Sequence, residues 1–219
     1  MSARIIVVVL GKQGAGKGTQ CKRLAQHLRI PHVSTGDILR AAVRDRTPVG
    51  LEVASILQAG QLVSDDLVNR LVKDRFAEPD AARGALLDGF PRTEAQALAL
   101  DAILGDDGVK ICINLDVPNA LVAERLSSRR VCQECGAIYR DTDIEAISGT
   151  CTNCGGDVIQ RADDMPEAII KRLEVYERDT APLLSFYDER GLLVRVDGDQ
   201  DPQDVTADIL EALDERGIS

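Results

Sequence analysis

Ile5-Ile-Val-Val-Val-Leu10-Gly11-Lys-Gln-Gly14-Ala15-Gly16-Lys17-Gly18-Thr19-Gln20 is the stretch that decides the fold. A short β-branched run bounded by glycine reads as a buried strand. Behind it, Cys21, Leu24, Ala25 and Leu28 recur at helical spacing. Gly11-x4-Gly16-Lys17 therefore sits between a strand and a helix, which is the setting of a phosphate-binding loop. Successive backbone N–H groups and a helix N-terminus surround one anion there, and Lys17 reaches toward the outer phosphates. Glycine is needed because side chains would keep the backbone away from the phosphate. The hydroxyl residue that usually follows the lysine arrives one place late, as Thr19 after Gly18.

Working outward, the chain of 219 residues carries a formal charge of −10 and a pI near 4.7. That balance argues against a general nucleic-acid binder, which presents a basic face. Arg129-Arg130, Arg40, Arg92, Arg161 and Arg172 are then expected to converge on small anions. No apolar run approaches the roughly 20 residues of a membrane span, and the chain opens on a strand rather than a signal peptide, so a cytoplasmic location without membrane association is expected. Cys21 and Cys112 lie inside apolar segments and are expected to fill core positions.

Further along, Ile30–Val33 reads as a second strand, and Ser34-Thr35-Gly36-Asp37 as a polar turn that caps the next helix. Ile38–Val43 and Leu51–Ala59 look helical, so Thr35 to Val63 is a helical insertion. Gly60–Leu67 is a second turn and cap, leading into a helix through Phe76. Strands are expected at Ala85–Asp88, Lys110–Val117 and Leu192–Val196. Helices are expected at about Glu94–Leu104, Asn119–Arg129, Pro166–Arg190 (one long helix) and Pro202–Arg216. The alternation predicts an α/β fold, a five-stranded parallel sheet with helices on both faces and ligands beyond the carboxyl ends of the strands.

Val131 to Gln160 breaks the alternation. It carries Cys132-x-x-Cys135 and Cys151-x-x-Cys154, each pair followed by glycine, and little apolar material. Two such knuckles suit a tetrahedral structural metal, most often zinc, whose binding supplies folding energy that a small core lacks. A pair of redox-active dithiols is the other reading of the same cysteines.

Gly11-x-x-Gly14-x-Gly16-Lys17-Gly18-Thr19-Gln20, Ser34-Thr35-Gly36-Asp37-x-Leu39-Arg40, Asp88-Gly89-Phe90-Pro91-Arg92-Thr93, Arg125-x3-Arg129-Arg130 and Arg161-x-Asp163-Asp164 together resemble adenylate kinases of the long type, over about residues 4 to 215. The resemblance implies the P-loop nucleoside monophosphate kinase fold. Its parts are a core (1–34, 64–130 and 161–219), an AMP-binding insert (35–63) and a small β zinc-ribbon-like lid (131–160). It implies reversible γ-phosphoryl transfer from MgATP to AMP, giving two ADP, by a monomer whose partners are those two nucleotides.

By the same resemblance, Gly14, Ala15, Gly16, Lys17, Gly18 and Thr19 bind the donor phosphates, and Asp88 holds Mg²⁺ through water. Arg125 with Ile138 and Tyr139 flanks the donor adenine and ribose, and Gln200 touches the donor base. Thr35, Gln61, Leu62, Val63, Gly89, Phe90, Pro91 and Gln96 form the AMP site. Arg40 and Arg92 grip the acceptor phosphate, and Arg129, Arg161 and Arg172 close on the phosphoryl group in transit. Cys132, Cys135, Cys151 and Cys154 hold structural Zn²⁺. Asp163 and Asp164 either bind at the lid hinge or cap the helix near Pro166.

Two other functions fit parts of the pattern. One is a GTP:AMP phosphotransferase. The other is a nucleotide-gated zinc-ribbon module for nucleic acid or protein, disfavoured by Glu134, Asp141, Asp143 and Glu145 against Arg140 alone.

One departure stands out: the family usually carries proline where this chain has Gln13, preceded by Lys12. Proline stiffens a loop, so its loss loosens donor binding, while Lys12 adds charge near the phosphates. Gln13→Pro is expected to change the donor KM or the turnover in steady-state assays. Unchanged values of both would overturn this reading.

Overall fold

The computed structural model describes residues 4–218. Five parallel strands form the central sheet: β1 (Ile5–Gly11), β2 (His32–Ser34), β3 (Gly84–Asp88), β4 (Ile111–Asp116) and, after the lid, β8 (Leu193–Asp197). Their order is β2-β3-β1-β4-β8. β1 therefore lies between β3 and β4, pairing Val9 with Asp88 on one side and with Ile113 on the other.

The apolar run of β1 is hydrophobic throughout because both of its faces are covered. Ile6, Val8 and Leu10 point into one core layer with Leu87, Phe90, Leu100 and Tyr187, while Val7 and Val9 point into the other with Leu24, Ile113, Leu126 and Ile209. The first layer is roofed by α4 (Asp65–Phe76), α5 (Glu94–Leu104) and α9 (Pro182–Asp188). The second is roofed by α1 (Lys17–Leu28), α6 (Asn119–Ser128), α8 (Pro166–Val175) and α10 (Pro202–Glu215). The expected fold class is observed.

The first insertion consists of α2 (Thr35–Arg44) and α3 (Pro48–Gln58). Ser34 caps α2 by accepting from the Asp37 N–H, and Thr47 caps α3 by accepting from the Gly50 N–H, with Pro48 at the first helical position. The two helices cross so closely that a Cβ on Gly50 would lie 1.9 Å from the Ala42 carbonyl oxygen. Glycine at position 50 sets that contact. Ser64 occupies the cap position of α4 without a side-chain bond; two acidic residues, Asp65 and Asp66, fill that helix's first turn instead.

The lid is a three-stranded antiparallel sheet, β5 (Arg129–Cys132), β6 (Ile138–Arg140) and β7 (Val158–Ile159), ordered β6-β5-β7, with the short helix α7 (Ile144–Ser148). Its apolar cluster is small, built around Cys132, Cys151 and Val158.

The single helix expected over Pro166–Arg190 is not continuous. A π turn at Tyr176–Thr180 separates α8 from α9, and the Ala181 N–H donates to the Tyr176 carbonyl at 2.8 Å. Pro182 is the cause: it has no N–H to donate, and its ring crowds the carbonyl one turn back. The widened turn carries Thr180 to Arg92, whose carbonyl accepts from the Thr180 hydroxyl at 2.9 Å.

Candidate active site

The glycine loop joins β1 to α1. Gly11, Gly14 and Gly16 have φ of 135°, 82° and 96°, conformations that L side chains rarely adopt. At Gly11 a Cβ would also meet the Leu115 carbonyl oxygen at 2.6 Å. The Lys17 ammonium curls back over the loop and donates to the carbonyls of Gly11 and Lys12 at 2.7 and 2.8 Å. Burial lowers its pKa to about 8, with Asp88 partly opposing that shift. Lys12, expected to add charge at the phosphates, instead donates to the Val117 carbonyl at 3.1 Å and lies 3.9 Å from Glu177. Gly18 sits against Asp88, and Thr19 is exposed.

Asp88 ends β3 beside the loop. Burial pushes its carboxyl upward, but the hydrogen bond from His32, 3.3 Å away, and the Lys17 charge outweigh that and hold it below the usual carboxylate range. His32 is thus the orienting partner of this carboxylate.

Of the arginines expected to converge, Arg40, Arg92 and Arg172 line one cavity, whereas Arg130 turns back to donate to the Ser127 and Arg129 carbonyls. A cavity between the first insertion and the core is lined by Thr35, Arg40, Gln61, Leu62, Val63, Gly89, Arg92, Gln96, Asp163 and Arg172, among others. Burial, compounded by the neighbouring Arg172, lowers Arg92 to about 10. Burial together with Arg40 and Arg129 lowers Arg161 to about 10. Cations this close and this dry repel one another, so the cavity carries a positive potential. Arg92 donates Nε–H to the Gly89 carbonyl at 2.8 Å, and Arg40 pairs with Asp37 at 2.6 Å.

The capping reading of Asp163 and Asp164 is corrected. Met165, not either aspartate, occupies the cap position of α8, and no side chain caps that helix. Asp164 is fully buried and takes Arg129 in a two-pronged bond at 2.8 and 2.5 Å and Arg172 at 3.0 Å. Asp163 pairs with Arg172 at 3.1 Å. Sequence reasoning weighed these carboxylates as helix caps because Pro166 follows; the buried environment that pairs them with guanidinium is a tertiary property.

Several other expected site residues are buried or already bonded to protein groups. Phe90 and Pro91 are buried, and Phe90 packs in the core rather than lining the cavity; the bond between them is cis. Gln96 lines the cavity, but its amide is engaged, donating to Asp65 at 2.7 Å and accepting from the Arg92 N–H at 2.8 Å. Asp65, which no sequence signal marked, thereby orients both Gln96 and Thr93. Arg125 donates to the Gly198 carbonyl at 3.0 Å. Gln200 donates its side-chain amide to the Asp197 carbonyl and to Asp208. Ile138 is half exposed.

In the lid the four sulfurs lie within 4.8 Å of one another, with Cys132–Cys154 at 3.5 Å and Cys135–Cys151 at 3.6 Å. Those spacings are close to the edge, about 3.8 Å, of a tetrahedron with zinc–sulfur bonds of about 2.3 Å. The two halves match: the Gly136 N–H donates to the Cys132 carbonyl and the Gly155 N–H to the Cys151 carbonyl, at φ of 68° and 76°. The Tyr139 hydroxyl lies 3.1 Å from the Cys151 sulfur and draws that thiol down to about 6. The donor set is compatible with zinc.

A glycine loop at the carboxyl end of a parallel sheet, facing a cavity lined with arginine, defines the class: a P-loop enzyme of the nucleoside monophosphate kinase fold. The adenylate kinase family model matches residues 9–192. Among curated relatives, the adenylate kinase of Symbiobacterium thermophilum is 48% identical over 210 residues, covering 94% of this chain and 97% of that protein. That of Bacillus subtilis is 47% identical with the same coverage, and that of Methanocella arvoryzae 46% over 209 residues. The chain belongs to the adenylate kinase family.

Removing the Asp164 charge leaves two buried guanidinium groups without their shared partner. Asp164→Asn is expected to cost about 3–5 kcal/mol in thermal or denaturant unfolding. Asp37→Asn, at a partly exposed pair, is expected to cost at most about 1 kcal/mol. Equal costs would mean that the buried cluster is not held by Asp164.

Proposed function

We propose that the chain catalyses reversible transfer of the γ-phosphoryl group of MgATP to AMP, giving two ADP, as a monomer in the cytoplasm. The observation that carries this reading is the convergence of Arg40, Arg92, Arg129, Arg161 and Arg172 between the glycine loop and the cavity of the helical insertion. Phosphoryl transfer passes through a loose transition state with charge spread over the phosphate oxygens, so positioning and cations do most of the catalysis. No strong base is required, and neither histidine faces the arginine-lined cavity.

In this reading 1–34, 64–130 and 161–219 form the core, 35–63 the AMP-binding insert and 131–160 the lid. Lys17 and the amides of Gly14 through Thr19 hold the donor phosphates, and the phosphate charge favours the Lys17 ammonium that burial disfavours. Arg40 and Arg92 clamp the acceptor phosphate through planar guanidinium forks. Arg129, Arg161 and Arg172 meet the group in transit. Thr35, Gln61, Leu62, Val63, Gly89 and Gln96 surround the AMP nucleoside, while Arg125, Ile138, Tyr139 and Gln200 border the donor nucleoside. Asp88 would hold Mg²⁺ through water, and that ion supplies charge neutralisation at the donor phosphates. The four lid cysteines would hold Zn²⁺, supplying folding energy to the lid.

Two measurements test the reading. ADP formation from MgATP, with and without AMP and followed by phosphorus NMR, is expected to show equal loss of ATP and AMP with two ADP appearing. ADP and free phosphate regardless of AMP would overturn it, and GTP in place of ATP reports the donor base preference. Chelation of the freshly purified, reduced protein is expected to lower its melting temperature. An unchanged melt would remove the metal from the lid's folding.

A further inference from the structure

Beneath the glycine loop, three metal-ligating side chains of different chemistry meet. Cys21 lies one helical turn after Lys17 on α1, His32 opens β2, and Asp88 closes β3. Their candidate donor atoms all lie within 4.8 Å of one another, the one such group besides the lid cysteines among the described residues. Cys21 is fully buried, and the His32 and Asp88 side chains are 15% and 13% exposed. The reaction proposed above does not use Cys21, and His32 enters it only as the partner that orients Asp88.

We propose that Cys21, His32 and Asp88 form a second metal site, separate from the lid, that takes Zn²⁺ and shuts off the glycine loop when filled. One sulfur, one imidazole nitrogen and one carboxylate oxygen form a donor set typical of zinc with three protein ligands, and they leave a fourth position for water or a phosphate oxygen. The geometry is close to what that ion needs. His32 Nε2 and Asp88 Oδ2 are 3.3 Å apart, the edge of a tetrahedron whose bonds are about 2.0–2.1 Å.

Filling the site exchanges one proton for the dication. The buried thiol holds its proton tightly, because burial and the Asp88 charge both raise its pKa. Zinc must displace that proton to solvent, as a coordinated thiol is deprotonated outright. Thiolate and carboxylate then neutralise the dication, which takes the site from one negative charge to none and removes the carboxylate charge that favours the Lys17 ammonium. The ion replaces the bond between His32 and Asp88 with two coordinate bonds. Serving as a zinc ligand, Asp88 can no longer orient the hydrated Mg²⁺ of the donor. This inhibitory consequence rests on the role proposed for Asp88 above; the binding site itself does not.

The test begins with reduced protein whose lid is already loaded, titrated with Zn²⁺ against a chromophoric competing chelator. Wild type is expected to hold two zinc ions per chain, one for each cluster, and Cys21→Ala and His32→Gln one each. One ion per chain in all three proteins overturns the site, and two in all three places the extra ion elsewhere and overturns it equally. Pairing two variants guards against one of them failing to fold. In zinc-buffered assays, wild-type activity is expected to fall with occupancy of the second site and to return on chelation. Cys21→Ala is expected to keep its basal rate and to lose this sensitivity. Equal inhibition of both proteins, or a filled second site with undiminished activity, overturns the shut-off. Should no kinase activity appear at all, the stoichiometry still decides the site while the functional reading above fails.

Discussion

Buried positive charge is the constraint on which this architecture depends. Arg40, Arg92, Arg129, Arg161 and Arg172 act on one another electrostatically, and burial depresses Arg92, Arg161 and Arg172. Bringing five cations together out of water is unfavourable, and the fold holds them by three means. Carboxylates at Asp37, Asp163 and Asp164 neutralise part of the charge. A backbone carbonyl at Gly89 takes Arg92. The remaining positive potential is left open to an anion. The protein is acidic overall, so this local excess stands out against its own surface and draws a polyanion to one place.

The sheet makes that arrangement possible. In strand order β2-β3-β1-β4-β8 the chain leaves β1 toward β2 and leaves β3 toward β4, so a crevice opens at the carboxyl ends beside β1. The glycine loop fills it from β1, and Asp88 fills it from β3. Both come from strands whose register is fixed by apolar residues on two covered faces. A one-residue slip would send Ile6 and Val8 into the opposite layer. Core packing therefore positions the glycine loop and Asp88 to within a strand register.

The legible part of the sequence was whatever depends on local pattern. Strand, glycine loop and helix follow from period and composition, and the two Cys-x-x-Cys-Gly knuckles follow from spacing alone. The convergence of the arginines could be anticipated from the resemblance. What stayed hidden depends on partners distant in the chain. Asp65 reaches Gln96 across 31 positions and Asp164 reaches Arg129 across 35. A cap and a buried counterion look identical when an aspartate precedes Pro166. The π turn was missed because the helical pattern was carried straight through Pro182, whose effect here is to widen the turn before it. Lys12 and Gln96 were read as ligand contacts by position; each is already held by protein groups that only the folded chain brings near.

The pair formed by Asp164 and Arg129 also fixes how the lid is joined to the core. β5 begins at Arg129, directly after α6, and the chain leaves the lid through the short 3₁₀ turn Ala162–Asp164 before α8. The bond between these residues therefore ties the two roots of the lid together, and Gln160 reinforces it by donating to the Ser127 carbonyl. Arg172, from α8 on the core side, takes the same carboxylate. A segment whose apolar cluster is this small cannot hold its own orientation by packing. Its rigidity has to come from the four-sulfur cluster at its tip and from the buried ion pairs at its base. Arg129 at the root of the lid and Arg172 in the cavity wall are thus linked through one buried carboxylate, away from the four-sulfur cluster.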